Sequence, residues 1–337
     1  MTVFVGRVDD LEAVDALLNQ SQQVNIAAAV GLGGVGKTEL ALQYARIQGD
    51  EFPGGVCWVR GVEPLEPQIV QFAQTHLGLT VPEQIENPLA WCCQRWPGEG
   101  PVLIVVDDVQ DYGPLKALLP TAGRFRVLLT TRRAILPRGQ RLELEVLVSE
   151  AALELLRNLV AGERVAAELD NARLLCEWVG RLPLGIELVG RHLEQRPELT
   201  IAKLLERLQG QRLAAQALKQ THPEMTATLG VAAAFELSWG MLSEEGQRLA
   251  GLLGLFAAAA VRWDWVEACG IGLAEEALED AQAELLGWHL LKRGEAGTYG
   301  VHALVREFFC GEAGGTARGR GAAPGVCSGD GGDCEDD

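Results

Sequence analysis

Gly31-Leu32-Gly33-Gly34-Val35-Gly36-Lys37-Thr38 decides how the first half of the chain is read. It fits G-x4-G-K-T in full. It follows an apolar strand candidate, Ile26–Val30, and opens a helix candidate, Glu39–Ile47. That context gives the pattern its chemistry. Glycines let the backbone curl so that successive N–H groups face one anion, and a helix N-terminus adds partial positive charge. Gly31, Gly33, Gly34, Val35 and Gly36 are therefore candidate phosphate contacts. Lys37 supplies a point charge for β- and γ-phosphates, and the Thr38 hydroxyl suits one position in the octahedral shell of magnesium.

Working outward, the strand candidates of the first 150 residues are Val24–Val30, Gly55–Arg60, Pro101–Asp107, Arg126–Thr130 and Arg141–Leu147. Three contain nearly continuous apolar runs, NIAAAV, VLIVVDD and RVLLTT, which suit strands covered on both faces. Helical spacing between them, as in Glu12–Leu18, predicts a doubly wound parallel α/β sheet. Leu103–Asp108 ends in two acids. Downstream of a P-loop, Asp107 fits a magnesium-ordering carboxylate. Asp108 fits either a general base for an attacking water or a loop cap. Leu128-Leu129-Thr130-Thr131-Arg132 should end at the carboxyl edge of the sheet, where Arg132 can sense a γ-phosphate through a bidentate contact. Arg133 is the weaker candidate. No N-K-x-D guanine reader is present.

The rest of the chain changes character. Ser149–Val160, Leu169–Val179, Leu184–Leu193 and Ile201–Leu208 read as helices. Thr226–Leu237, Ser243–Phe256, Trp263–Cys269 and Ala274–Leu286 continue the series, and a hairpin over Leu290–Val301 follows. The organisation expected is a nucleotide-binding domain over 1–148, a helical domain over 149–215, a winged-helix domain over 216–311 and a disordered tail over 312–337. Gly180-Arg181-Leu182-Pro183-Leu184 alone is a turn between helices, and His302 alone is a packed or capping residue.

The 337 residues are 48% hydrophobic and 22% charged, with a formal net charge of −17. That charge argues against broad nucleic-acid binding, which needs a basic face. The densest basic run, Arg124, Arg126, Arg132, Arg133, Arg138 and Arg141, reads as a solvated strand edge plus one functional arginine. The eight cysteines form no metal or disulfide pattern, and Cys57, Cys176 and Cys269 are expected to be buried thiols. The longest apolar segment, Leu249–Val261, is too short to span a bilayer, and no targeting signal precedes Val3–Arg7, so a cytoplasmic chain is expected.

Taken in order, these motifs resemble the NB-ARC family of signal-transducing P-loop ATPases, within the larger STAND class. The likeness covers roughly residues 2–310. Val3–Arg7 is similar to the family's hhGRE opening, with Val8 in place of the acid. The resemblance implies that Val5 and Arg7 approach the adenine and that Pro183, in the G-L-P-L turn, packs on base and ribose. Val301-His302-Ala303 stands where the family has M-H-D, and the resemblance makes His302 a contact to the β-phosphate of ADP. It further implies a switch. ADP holds a closed state, ATP exchange opens it, slow magnesium-dependent hydrolysis resets it, and protein partners or self-association follow activation. Two other readings stand beside it. One is an ADP-locked scaffold without useful turnover. The other is a winged-helix DNA regulator, which the acidic Ala274–Leu286 segment disfavours.

Overall fold

The computed structural model describes residues 4–28, 34–82, 84–120, 122–132, 136–216, 225–256, 260–288, 290–294, 297–302, 305–306 and 308–309. Gly31, Gly33, Arg133 and the expected tail, 312–337, lie outside them. The chain divides into two compact units, Met1–Met241 and Leu242–Asp337.

The first unit opens with α1 (Val8–Gln20), β1 (Gln23–Ala28), α2 (Lys37–Ile47), β2 (Val56–Arg60), α3 (Leu65–His76), α4 (Pro88–Gln94), β3 (Val102–Val109), α5 (Tyr112–Lys116), β4 (Phe125–Thr131) and β5 (Arg141–Leu144). The five strands form one parallel sheet in the order β2-β3-β4-β1-β5. The three apolar runs of the sequence are its three interior strands. Residues 102–106 of β3 and 127–129 of β4 are fully buried, because helices cover both faces. One face carries Cys57, Val59, Ile104, Val106, Val127 and Leu129 against Leu65, Ile69, Leu89, Trp96 and Leu115. On the other, α1 and α2 cover the sheet, and Leu40, Tyr44, Ile26, Leu103 and Leu128 are fully buried. A strand alternates its side chains between faces. That alternation sets Leu103, Val105 and then Asp107 on the α2 side.

Helices α6 (Ser149–Leu159), α7 (Gly162–Ala167), α8 (Leu169–Trp178), α9 (Pro183–Glu194), α10 (Ile201–Gln216) and α11 (Met225–Trp239) complete this unit. Arg164 holds the chain leaving α9 by donating to the carbonyls of Leu193, Arg196 and Leu199. Glu168 caps α10 by accepting the N–H groups of Ile201 and Ala202 at 3.0 and 2.9 Å. Helix α11 was expected to open the third domain, but it packs on α9 and α10, and the compact division falls after Met241. Small residues of α11, Ala233 and Ala234, are buried together with Val231 and Phe235, so its apolar surface is spent within the first unit.

The second unit contains α12 (Glu244–Leu255), β6 (Val261–Arg262), α13 (Trp263–Ala268), α14 (Glu275–Gly287), β7 (Lys292–Arg293) and β8 (Thr298–Gly300). The strands are antiparallel in the order β6-β8-β7, with the hairpin across Gly294–Gly297 as the sequence predicts. Ser243 caps α12, and Glu284 of α14 accepts from both its N–H and its hydroxyl. Cys269 is exposed, not buried as expected. It is the C-cap of a two-turn helix and faces away from the small core. Among the described residues no helix is long and apolar enough to cross a membrane.

Burial pushes the His192 imidazole of α9 down to about 4, and Arg196 and Arg207 push in the same direction. The folded value lies below the unfolded value of about 6.5, so the unfolded chain binds the proton more readily. Stability from this group is complete above that unfolded value and is lost as pH falls toward 4. Between pH 7.5 and 5 the loss is about 2 kcal/mol. Urea unfolding at the two pH values measures it. His192→Leu should flatten the dependence by that amount, and an unchanged dependence would contradict the assignment.

Candidate functional site

The site is built where β1, β3 and β4 end beside the start of α2. Its centre is the Asp107 carboxylate. Oδ1 accepts the Thr38 hydroxyl at 2.8 Å and also the Thr130 hydroxyl of β4. The Thr130 oxygen in turn accepts the Asp108 N–H at 2.9 Å. One hydroxyl therefore fixes both acids, as donor to the first and acceptor from the second. Beyond it, Thr131 donates to the Val109 carbonyl at 2.7 Å. The register of β3 against β4 shifts between Val106 and Val109. Within this bulge Asp108 takes φ +58, a left-handed conformation that aspartate tolerates better than most residues. The bulge turns the second acid away from the alternation of the strand.

The described half of the P-loop shows why glycine is needed. Gly36 has φ +99 and is the N-cap of α2, a conformation open to glycine without penalty. A Cβ at Gly36 would stand 3.9 Å from Cγ of Pro183. The Leu184 N–H faces the Gly34 carbonyl at 3.4 Å. The Gly180–Leu184 turn thus lies directly against the loop. Here Pro183 opens α9, where its missing N–H costs nothing.

Arg7 is buried, and both terminal nitrogens of its guanidinium are engaged. It pairs with Asp10 at 3.0 Å and donates to the carbonyls of Val35 and Glu145 at 3.1 and 2.8 Å. It is a strut between the N-terminal segment, the P-loop and the end of β5. Gly6 has φ +64, and a Cβ there would meet Cβ of Ala151 at 2.2 Å, so the segment before α1 sits tightly on α6. The half-buried Val5 precedes it. His302 belongs to the second unit, past β8, where its carbonyl accepts the Arg306 N–H at 2.9 Å.

Electrostatics agree with the geometry. Burial lowers the Lys37 pKa, Arg132 lowers it further, and Asp108 and Asp107 oppose the shift. Burial raises the Asp107 pKa, while its bonds to Thr130 and Thr38 and the charge of Arg60 oppose the rise. A polyphosphate against Lys37 and a divalent cation beside Thr38 and Asp107 would each offset that desolvation. The donor set, a hydroxyl from the first turn of α2 and a carboxylate from the end of β3, suits magnesium and its hydration shell. Among the described residues no group of three or more His, Cys, Asp or Glu side chains could hold a metal alone.

Three other arginines of the basic run have structural partners. Arg124 donates to the carbonyls of Gly100, Trp96 and Gly98, Arg126 to that of Gly123, and Arg141 pairs with Glu143. Arg132 is half-buried, one residue beyond β4. Two residues went unread as site members in the sequence. Thr130 was seen only as a polar strand end. Arg60, whose Cα is in register with Asp107, ends an unremarkable strand and gains meaning only when β2 is known to neighbour β3.

This sheet order, loop and acid-tipped β3 define a P-loop NTPase fold. Residues 7–166 match the NB-ARC domain, so this part of the chain is an NB-ARC domain. The regulatory protein AfsR of Streptomyces coelicolor is 31% identical over 322 residues, covering 90% of this chain and 31% of that protein. The probable disease resistance RPP8-like protein 2 of Arabidopsis thaliana is 27% identical over 214 residues, 55% of this chain and 22% of that one. The chain spans less than a third of the length of these relatives. A STAND protein with a tetratricopeptide repeat sensor from Pyrococcus horikoshii has the same fold, with a TM-score of 0.59 at 19% identity over 92% of this chain and 43% of that one.

Replacing Thr130 with Val keeps the volume but removes the hydroxyl shared by Asp107 and Asp108. Thr130 is 1% exposed, so the Asp108 N–H would lose its partner away from water. The cost should be about 1–3 kcal/mol. Urea unfolding of the wild type and Thr130→Val measures it; a change below about 0.5 kcal/mol, the range of a neutral surface substitution, would contradict the tie.

Proposed function

We propose that the chain is an adenine-nucleotide switch whose slow, magnesium-dependent ATP hydrolysis resets an ADP-bound closed state. The observation that carries this reading is the Thr38–Asp107–Thr130–Asp108 chain of hydrogen bonds beside Lys37. It sets the Thr38 hydroxyl and the Asp107 carboxylate together at the start of α2, with the charges of Asp107 and Asp108 felt at Lys37, and so supports a terminal phosphate bound there.

In this reading the loop N–H groups from Gly31 to Gly36 hold the phosphates, with Lys37 on their β- and γ-oxygens. Thr38 and Asp107 hold magnesium, which when bound neutralises charge on those oxygens. Asp108 accepts the proton of the attacking water. Arg132 reads the γ-phosphate. Pro183, against the loop, packs on base and ribose beside Val5, and Arg7 braces that wall. The resemblance assigns His302 to the β-phosphate as the latch of the closed state.

Shifting such an equilibrium from 1:99 to 99:1 takes about 5.5 kcal/mol of differential binding. One γ-phosphate contact and one histidine contact supply only part of it. The remainder is assigned to partner proteins or self-association on activation. A DNA-binding role is disfavoured by α14, whose Glu275, Glu276, Glu279 and Asp280 are all exposed.

Asp108→Asn tests the hydrolytic part of this reading. It should lower single-turnover phosphate release by about 10²-fold or more, with ATP affinity unchanged within about twofold. Unchanged release would remove Asp108 from the chemistry. Release at background in the wild type as well would leave the ADP-locked scaffold.

A further inference from the structure

Asp107 stands between two neighbouring strand tips, and each tip brings an arginine. On the β4 side lies Arg132, directly after the strand. On the β2 side lies Arg60, the last residue of its strand and the in-register partner of Asp107. Paired residues of parallel strands project from the same face of the sheet. The Asp107 side chain reaches Thr38 of α2, so Arg60 leaves the sheet on the P-loop face as well. Its charge is felt at Asp107, where it favours the ionised carboxylate.

The main chain of Arg60 is held while its head is poorly held. Gln68 of α3 accepts the Arg60 N–H at 2.8 Å and donates to the Arg60 carbonyl at 3.0 Å. Its amide thus fills the outer edge of the sheet at the tip of β2. The guanidinium has an ion pair with Glu63 at 3.5 Å, with the two side chains 36% and 41% exposed. Nη1, the nitrogen of that pair, is buried and makes no hydrogen bond beyond this long contact. A fixed backbone with a weakly satisfied, partly desolvated guanidinium at the carboxyl edge is a charge placed for an anion. A long pair between partly exposed side chains is weak and gives way readily to a bidentate phosphate.

We propose that Arg60 is a second reader of the terminal phosphate, opposite Arg132, and that Glu63 competes with that phosphate for its guanidinium. The proposal rests on the adenine-nucleotide reading given above and deepens it. Two strand-tip arginines flanking Asp107 distinguish ATP from ADP more sharply than one, and Glu63 sets the threshold. With ADP the guanidinium stays on Glu63. With ATP it moves to the γ-oxygens, and the Pro64-α3 segment after Glu63 loses a tether.

Calorimetric titration of the full chain with magnesium and either ADP or β,γ-imido-ATP tests this. Arg60→Ala should weaken imido-ATP binding by about tenfold, a typical charge-assisted contact, and change ADP binding by less than about twofold. Retained ADP binding also reports that the variant is folded. Glu63→Gln should raise the preference for imido-ATP over ADP. Equal loss of both nucleotides in Arg60→Ala would assign the residue to Asp107 alone and overturn the proposal, as would no loss of either. Should Arg60→Ala fail to fold, an unchanged preference in Glu63→Gln overturns it. The underlying reading fails separately, when the wild type binds neither nucleotide.

Discussion

The carboxylate of Asp107 joins three elements that are far apart in sequence. Through Thr38 it reaches the first turn of α2, and through Thr130 it reaches the end of β4. It is itself half-buried near the tip of β3, where desolvation raises its pKa and the two hydroxyls counter that rise. Much else in the site depends on this one group. The Thr130 oxygen that donates to Asp107 also holds the Asp108 amide. Asp108 keeps its left-handed backbone because that amide has a partner. Removing the carboxylate would loosen the strand tips and the loop together.

A second set of contacts surrounds the P-loop from outside the sheet. Arg7 grips the Val35 carbonyl, Leu184 approaches the Gly34 carbonyl, and Pro183 faces Gly36. The segment before α1 and the start of α9 thus bear on the same loop. A ligand that moved the loop would be felt at α6, through Gly6 on Ala151, and at α9, through Pro183. Within the first unit, loop and helices share these mechanical contacts without any ligand bridging them. A change in loop geometry would reach the helices through packed backbone, where small displacements are costly.

Much of this was legible in the residues. Three unbroken apolar runs marked the interior strands, since only a strand covered on both faces can hide every side chain. The G-x4-G-K-T spacing located the loop, and the acids ending VLIVVDD located its partner across the sheet. Strand order was not legible, because periodicity says nothing about neighbours. Arg60 was therefore invisible until β2 lay beside β3. The bonds of the Arg7 guanidinium to Val35 and Glu145 were not legible either, because they join segments far apart in sequence. Helix α11 read as part of the last domain because a poorly marked stretch precedes it. Its packing on α9 and α10 is a tertiary choice that local pattern does not encode. Cys269 looked buried from its apolar neighbours, yet the short α13 turns it outward.

The central claim is that the loop, Asp107 and the Pro183 turn together hold an adenine nucleotide tightly. The most direct measurement is chromatographic identification of what acid releases from the gently purified chain. The account predicts an adenine nucleotide, chiefly ADP, near one per chain and absent from Lys37→Ala. Guanine nucleotide, or no nucleotide from a folded wild-type chain that also fails to bind added ADP, would contradict it.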